Sequence, residues 1–273
     1  MGFLAKIIMS KIEDKFKELD GKKERALIGY LTLGDPNIED SKELVKALSR
    51  HVDIMELGIP FSDPIADGPT IQAAIERALK AGINTDRCFE IVEKLRIEGV
   101  KVPFVFMTYY NIVLQYDEER FVKRCSESGV DGILVSDLPI EEAGSMLKIC
   151  NRYGINFIFL IAPTTTERRI EKILKKASGF IYLVSILGTT GVRESLHKET
   201  IEKTKWALKY VKEIPLAVGF GISKPEHAKS IIESGASGVI VGSAFVKLVG
   251  QKGIAAMDEL EKLSSELKDA TRL

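Results

Sequence analysis

Apolar residues gather along the chain into eight short runs: Ala26–Leu33, Val52–Ile59, Val102–Tyr109, Val130–Asp137, Asn156–Pro163, Gly179–Ile186, Pro215–Ile222 and Gly238–Phe245. Each has strand length and little polar alternation, the pattern of a parallel strand covered on both faces. Between them lie charged segments with helical spacing, among them Ile38–Ser49, Glu118–Ser128, Glu141–Tyr153, Glu167–Lys176, Lys198–Lys212 and Lys224–Ser234. Eight such units in 273 residues, with no low-complexity segment between them, predict a single (β/α)8 TIM barrel, with residues 1–273 as one domain. An open doubly wound sheet is the structural alternative. Ser10–Leu19 reads as an extra amphipathic N-terminal helix, Ala255–Leu273 as a segment closing the outside, and Gly68–Lys101 has room for an additional helix.

In a barrel the unusual residues fall on the carboxyl edge of the strands, where barrel enzymes build their sites. Asp35-Pro36 follows the first strand, and Glu56, Asp63 and Asp67 belong to the second strand and its loop. Asn111 follows the third strand, Asp137 ends the fourth, Thr164-Thr165 follows the fifth and Gly188-Thr189-Thr190-Gly191 the sixth. Gly219-Phe220-Gly221-Ile222-Ser223 ends the seventh, and Gly242-Ser243 lies in the eighth.

Glu56 sits inside an apolar strand, so it is expected to be buried, either as a core carboxylate held by a neighbour or as a group with a raised pKa and a chemical role. Asp67 is open to two readings as well, a site carboxylate or a cap for the helix that starts at Pro69; Asp63 reads more simply as the start of a turn before Pro64. Asp137 is read as a partner for loop backbone rather than for substrate. The glycines after strands seven and eight, taken with Gly191, suit a backbone phosphate site, although either motif alone is explained by a tight turn. No Walker-type loop or full dinucleotide fingerprint occurs, which disfavours nucleotide binding. Gly188–His197 is either an ordinary loop or a mobile lid.

Composition narrows the field. Lys plus Arg and Asp plus Glu are equal at 39 each, so no net basic field argues for nucleic acid or an anionic membrane. Cys88, Cys125 and Cys150 are odd in number and never C-x-x-C, which argues against a disulfide framework or a zinc site and fits a cytoplasmic protein. His51, His197 and His227 share no ligand spacing, and no metal is expected. The opening Met1–Met9 is apolar but lacks a basic region and a small-residue cleavage site, and no apolar run approaches the ~20 residues of a membrane span.

The run Glu56-Leu57-Gly58-Ile59-Pro60-Phe61-Ser62-Asp63-Pro64-Ile65-Ala66-Asp67-Gly68-Pro69-Thr70-Ile71-Gln72 resembles the hallmark of the tryptophan synthase alpha subunit family. Thr32–Pro36, Tyr109–Asn111, Ser136–Pro139, Ala162–Thr165, Gly188–Gly191, Gly219–Ser223 and Val241–Ala244 resemble further family segments in the family's order. The resemblance implies a lyase that splits indole-3-glycerol phosphate by a retro-aldol reaction. It implies Glu56 as catalytic acid and base and Asp67 as acceptor for the indole N–H. Gly191, Gly219, Gly221, Gly242 and Ser243 match phosphate-binding positions, Tyr182 a site-lining hydroxyl near Glu56, and Phe220 and Ile71 apolar walls for the indole. It also implies a heteromer, expected as α2β2, with a beta subunit that holds the pyridoxal phosphate, this chain binding no cofactor. Ile186-Leu187 departs from the Arg-containing sequence of better-known bacterial members, and Tyr110 from a commonly small residue. Competing readings are another phosphate-binding barrel of aromatic amino-acid synthesis, a stand-alone indole-producing lyase, and a non-catalytic regulatory partner.

Overall fold

The computed structural model describes residues 10–184, 193–219 and 221–273, with backbone only at 193–197. Eight parallel strands close into a barrel in chain order: β1 (Ala26–Thr32), β2 (Ile54–Gly58), β3 (Phe104–Thr108), β4 (Gly132–Val135), β5 (Asn156–Ile161), β6 (Ile181–Val184), β7 (Leu216–Gly219) and β8 (Gly238–Val241). β8 pairs with β1, so no edge is left open. Every predicted run contains its strand, trimmed at one or both ends.

Both faces of the sheet are buried, which is why the runs show no alternation. Odd and even positions nevertheless part company. Ile28, Ile54, Val105, Leu134, Ile158, Ala217 and Ile240 pack inside the barrel, whereas Leu27, Met55, Leu57, Phe104 and Phe106 pack with the larger cluster that includes the surrounding helices. The interior also receives Ile12, Phe16 and Leu19 from the extra N-terminal helix, α1 (Lys11–Gly21). Ser10 caps that helix and also hydrogen-bonds Asn156 of β5. Plugged at that end, the barrel keeps its open side chains at the carboxyl ends of the strands.

Several helices differ from the expected spans. After α2 (Ile38–Leu48), the Gly68–Lys101 interval does hold the additional helix expected there: α3 (Pro69–Lys80) is followed by α4 (Thr85–Ile97), because Gly82 at φ +81° ends one and Asn84 caps the next. A short helix, α5 (Tyr110–Tyr116), follows β3 and takes in Asn111; it was too brief to show a period. Next come α6 (Glu118–Ser128), α7 (Gly144–Tyr153), α8 (Glu167–Leu174), α9 (Arg193–Ala207) and α10 (Pro225–Glu233). α9 starts earlier than predicted, so 193–197 of the expected lid is helical backbone; 188–192 lie outside the described residues. Ser243 is not in strand eight but begins α11 (Ser243–Lys252), with Gly242 as its N-cap. Asp137 likewise lies beyond the end of β4.

The last helix, α12 (Met257–Asp269), ties the chain end to the barrel base. Lys268 Nζ lies 2.9 Å from both Asp53 Oδ2 and Glu24 Oε2, while Asp53 also accepts from the Leu27 N–H at 2.8 Å. A clasp of this kind belongs to stability, because it stands at the barrel end opposite the strand-end loops.

Candidate active site

Glu56 occupies the middle of β2, in register with Tyr30 on β1 and Val105 on β3. Its neighbours Met55 and Leu57 belong to the strand's outer face, so the two-residue period turns Glu56 inward. It is 1 % exposed, and its Oε1 has no hydrogen-bond partner among the described residues. Burial, and secondarily the nearby Asp67 charge, push its pKa up to about 8. The carboxyl is therefore mostly protonated at neutral pH and free to give its proton to a ligand.

Asp67 stands in the loop before α3 and is not that helix's cap. Gly68 is the N-cap, and no side chain bonds the first turn. The carboxylate instead accepts a 2.6 Å hydrogen bond from the Tyr109 hydroxyl, while the same phenolic oxygen accepts the Ala66 N–H at 3.1 Å. The Tyr109 ring lies 5.1 Å from Phe61, at the start of the same loop. Burial raises the Asp67 pKa and the Tyr109 bond opposes the rise. Asp63 is exposed and bonded to Ser62, in keeping with a turn residue. Asp137 accepts the Tyr110 N–H at 2.7 Å and so binds loop backbone.

Glu56 and Asp67 open into one cavity of about 130 Å³ with Ile71, Tyr182, Gly219, Gly221, Gly242 and Ser243. Eight of the ten residues singled out from sequence thus come together; Gly191 and Phe220 lie outside the described residues. The same cavity is walled by Tyr30, Met107, Ile222 and Ile240, which sequence reasoning missed, as it missed any role for Tyr109. Inward alternation from Glu56 and its barrel neighbours was the available signal for Tyr30, Met107 and Ile240.

The wall of the cavity formed by Gly242 and Ser243 suits an anion. α11 begins there with no side-chain cap, so its first-turn N–H groups remain available. Gly221 has φ +47°, a left-handed backbone that a residue with a Cβ rarely adopts, with open space where a Cβ would stand. A protonated buried carboxyl, a second carboxylate and an anion cradle therefore share one small space. Fold and site together define the class: a (β/α)8 barrel whose carboxyl-edge cavity combines two carboxylates, apolar walls and a helix start suited to an anion.

Comparison with known proteins narrows that class to one family. A family model for the tryptophan synthase alpha chain matches residues 16–272. The alpha chain of Methanocaldococcus jannaschii is 49% identical over 261 residues, covering 96% of this chain and 91% of that one. Among solved structures, the alpha subunit of Legionella pneumophila superposes with a TM-score of 0.89 at 34% identity, covering 96% of this chain and 98% of that one. A chain from the tryptophan synthase α2β2 complex of Pyrococcus furiosus gives 0.85 at 44% identity over 90% of this chain and 98% of that one. The chain belongs to the tryptophan synthase alpha chain family, and is an enzyme of the lyase class.

Proposed function

We propose that Glu56 and Asp67 carry the alpha reaction, cleaving indole-3-glycerol phosphate to indole and glyceraldehyde 3-phosphate. The observation that carries this assignment is the buried Glu56 carboxyl, protonated near neutral pH and opening into one cavity with Asp67 and the glycine-lined anion cradle. Glu56 gives its proton to the ring carbon that bears the side chain. The resulting cationic ring accepts the electron pair of the breaking C–C bond, and the hydroxyl on the departing carbon becomes the aldehyde as its proton returns to the Glu56 carboxylate. Atoms and charge balance without a further reactant. Asp67 accepts the ring N–H and offsets the positive charge, which exists in the transition state and not in the substrate. Gly219, Gly221, Gly242 and Ser243 take the phosphate, and Tyr182 and Ile71 line the ring and the reacting centre; Gly191 and Phe220, expected to share these tasks, lie outside the described residues.

The whole chain, residues 1–273, is read as one catalytic domain, since the described barrel runs from residue 26 to 241 and its flanking helices pack on it. The physiological assembly is an α2β2 heteromer, as in the Pyrococcus furiosus complex. Pyridoxal phosphate is assigned to the beta subunit and none to this chain. Ile65, 83 % exposed in the loop that carries Asp67, supports that loop as the docking surface. Tyr109 then links docking to the position of Asp67. No helix among the described residues is long and apolar enough to cross a membrane, and we place the enzyme in the cytoplasm.

The test is release of free indole from indole-3-glycerol phosphate by the purified chain, alone and with its beta subunit, while complex size is followed. Glu56→Gln is expected to lose about 10²–10⁴ in turnover with substrate affinity nearly kept. Near-normal turnover by that variant removes Glu56 from its role. Full activity of the isolated chain, with no complex at micromolar concentrations, favours a stand-alone lyase.

A further inference from the structure

Two tyrosines line the cavity in the same relation to a neighbouring strand. Tyr182 of β6 pairs with Ala217 of β7, and its hydroxyl lies over Gly219, two residues further along, where a Cβ would come within 2.5 Å of it. Tyr30 of β1 pairs with Glu56 of β2, and its hydroxyl lies over Gly58, again two residues further along, where a Cβ would come within 2.2 Å. Each phenol leans toward the carboxyl end of its strand and sits in a notch that only a glycine leaves.

The family resemblance marks Tyr182 and is silent on Tyr30, although the geometry treats them alike. Tyr30 is 5 % exposed, and its hydroxyl lies 3.2 Å from the hydroxyl of Thr32, which is itself buried. That contact uses one of the phenol's hydrogen-bonding positions and leaves capacity for a ligand in the cavity. Burial, and then the Asp67 and Glu56 charges, raise the phenol's pKa far above its ordinary value, so it remains a neutral donor and acceptor.

Strand order places it. Gly242, in the anion cradle at the end of β8, has its Cβ position 3.3 Å from the Tyr30 Cβ, and Glu56 stands on β2 at the other side. Tyr30 therefore flanks the stretch between the phosphate end and the proton-transfer end. On the function proposed above, that stretch holds the substrate's three-carbon chain with its two hydroxyls.

We propose that Tyr30, seated on Gly58 and held by Thr32, hydrogen-bonds a hydroxyl of this three-carbon chain and selects a glycerol phosphate over a deoxy chain of the same length. An unmet polar group on the protein side discriminates strongly against a ligand lacking the matching hydroxyl. The inference rests on the proposed substrate class and adds a residue that reads it.

The experiment compares two ligands on the full chain, each measured as a dissociation constant in the Glu56→Gln background so that no turnover intervenes. One is indole-3-glycerol phosphate; the other is 3-(indol-3-yl)propyl phosphate, which has the same ring, chain length and phosphate but neither hydroxyl. Tyr30→Phe keeps the ring packed beside Gly242 and removes one oxygen. It is expected to weaken the glycerol ligand about 5- to 20-fold and leave the propyl ligand within about twofold. Thr32→Val, which frees the phenol without removing it, is expected to give a smaller loss with the same selectivity. Equal weakening of both ligands by Tyr30→Phe reduces the residue to wall packing and overturns the proposal, as does no weakening of either. Failure of the broader reading looks different: the chain with Glu56 intact then releases no indole, whatever stands at position 30.

Discussion

Glu56→Gln is expected to make the protein more stable while it disables the reaction, and the size of the gain is set by the buried carboxyl. Folding carries this group from an ordinary 4.5 to about 8. A raised pKa in the folded state means that its contribution to stability is fully present below pH 4.5 and is lost as pH rises toward 8. At about 1.4 kcal/mol per pH unit, the folded protein forfeits ~3 kcal/mol by pH 7 and on the order of 5 kcal/mol above pH 8. Glutamine has nearly the same shape and does not titrate. Its amide oxygen is expected to inherit the unpartnered position of Oε1, so this cost largely cancels between the two proteins. The assay is denaturant unfolding of both proteins at pH 5, 7 and 8.5, with the slope compared to show that the unfolded states match. The two are expected to be close at pH 5, with the variant ~3 kcal/mol ahead at pH 7 and further ahead at pH 8.5. A constant difference across that range, or a less stable variant at pH 8.5, refutes the account of Glu56 as a carboxyl held neutral by burial.

The rate should be bell-shaped in pH: kcat/KM falls as pH rises through the Glu56 value near 8, because the acid is lost, and falls on the acid side as Asp67, itself raised above 3.8, takes up a proton. Asp67→Asn should abolish the acid limb while lowering kcat more than affinity; an unchanged profile removes Asp67 from the reaction. Tyr109→Phe deletes the 2.6 Å bond to Asp67 and the tie to Ala66, and is expected to lower kcat about 10-fold with little change in melting temperature, as read by steady-state rates and calorimetry. Gly219→Ala puts a Cβ within 2.5 Å of the Tyr182 hydroxyl and is expected to raise KM steeply, a result that a normal KM in a folded variant contradicts. Lys268→Met leaves the Asp53 carboxylate buried with the Leu27 N–H as its remaining bond, and should cost about 3–5 kcal/mol in denaturant unfolding without altering kcat.

Much of the architecture was legible because each strand is apolar on both faces and each helix is apolar on one, so the chain alternates between two periods that can be told apart locally. The same property hid which way each strand residue points. A run buried on both sides shows no polar alternation, so the sequence marks Glu56 as costly to bury without showing which way it points. Closure of the barrel decided that Ile54 and Glu56 face inward while Met55 and Leu57 pack outward. Helix ends were harder: Gly242-Ser243 reads as strand, and becomes a helix start because the chain turns there over the barrel rim.

By itself, then, the sequence determined the order of elements, the residue types able to do the chemistry and the family motif that runs from Glu56 to Gln72. The tertiary structure alone decided who meets whom. Asp67 is oriented by Tyr109, 42 positions away, and Tyr30 reaches the same cavity from a strand 26 positions before Glu56. The raised Glu56 pKa is likewise a property of closure, since water is excluded only when eight strands and their side chains surround it. Local propensity acts over a few residues, whereas desolvation and hydrogen-bond partnership act through space, and a barrel joins distant segments into one enclosed volume.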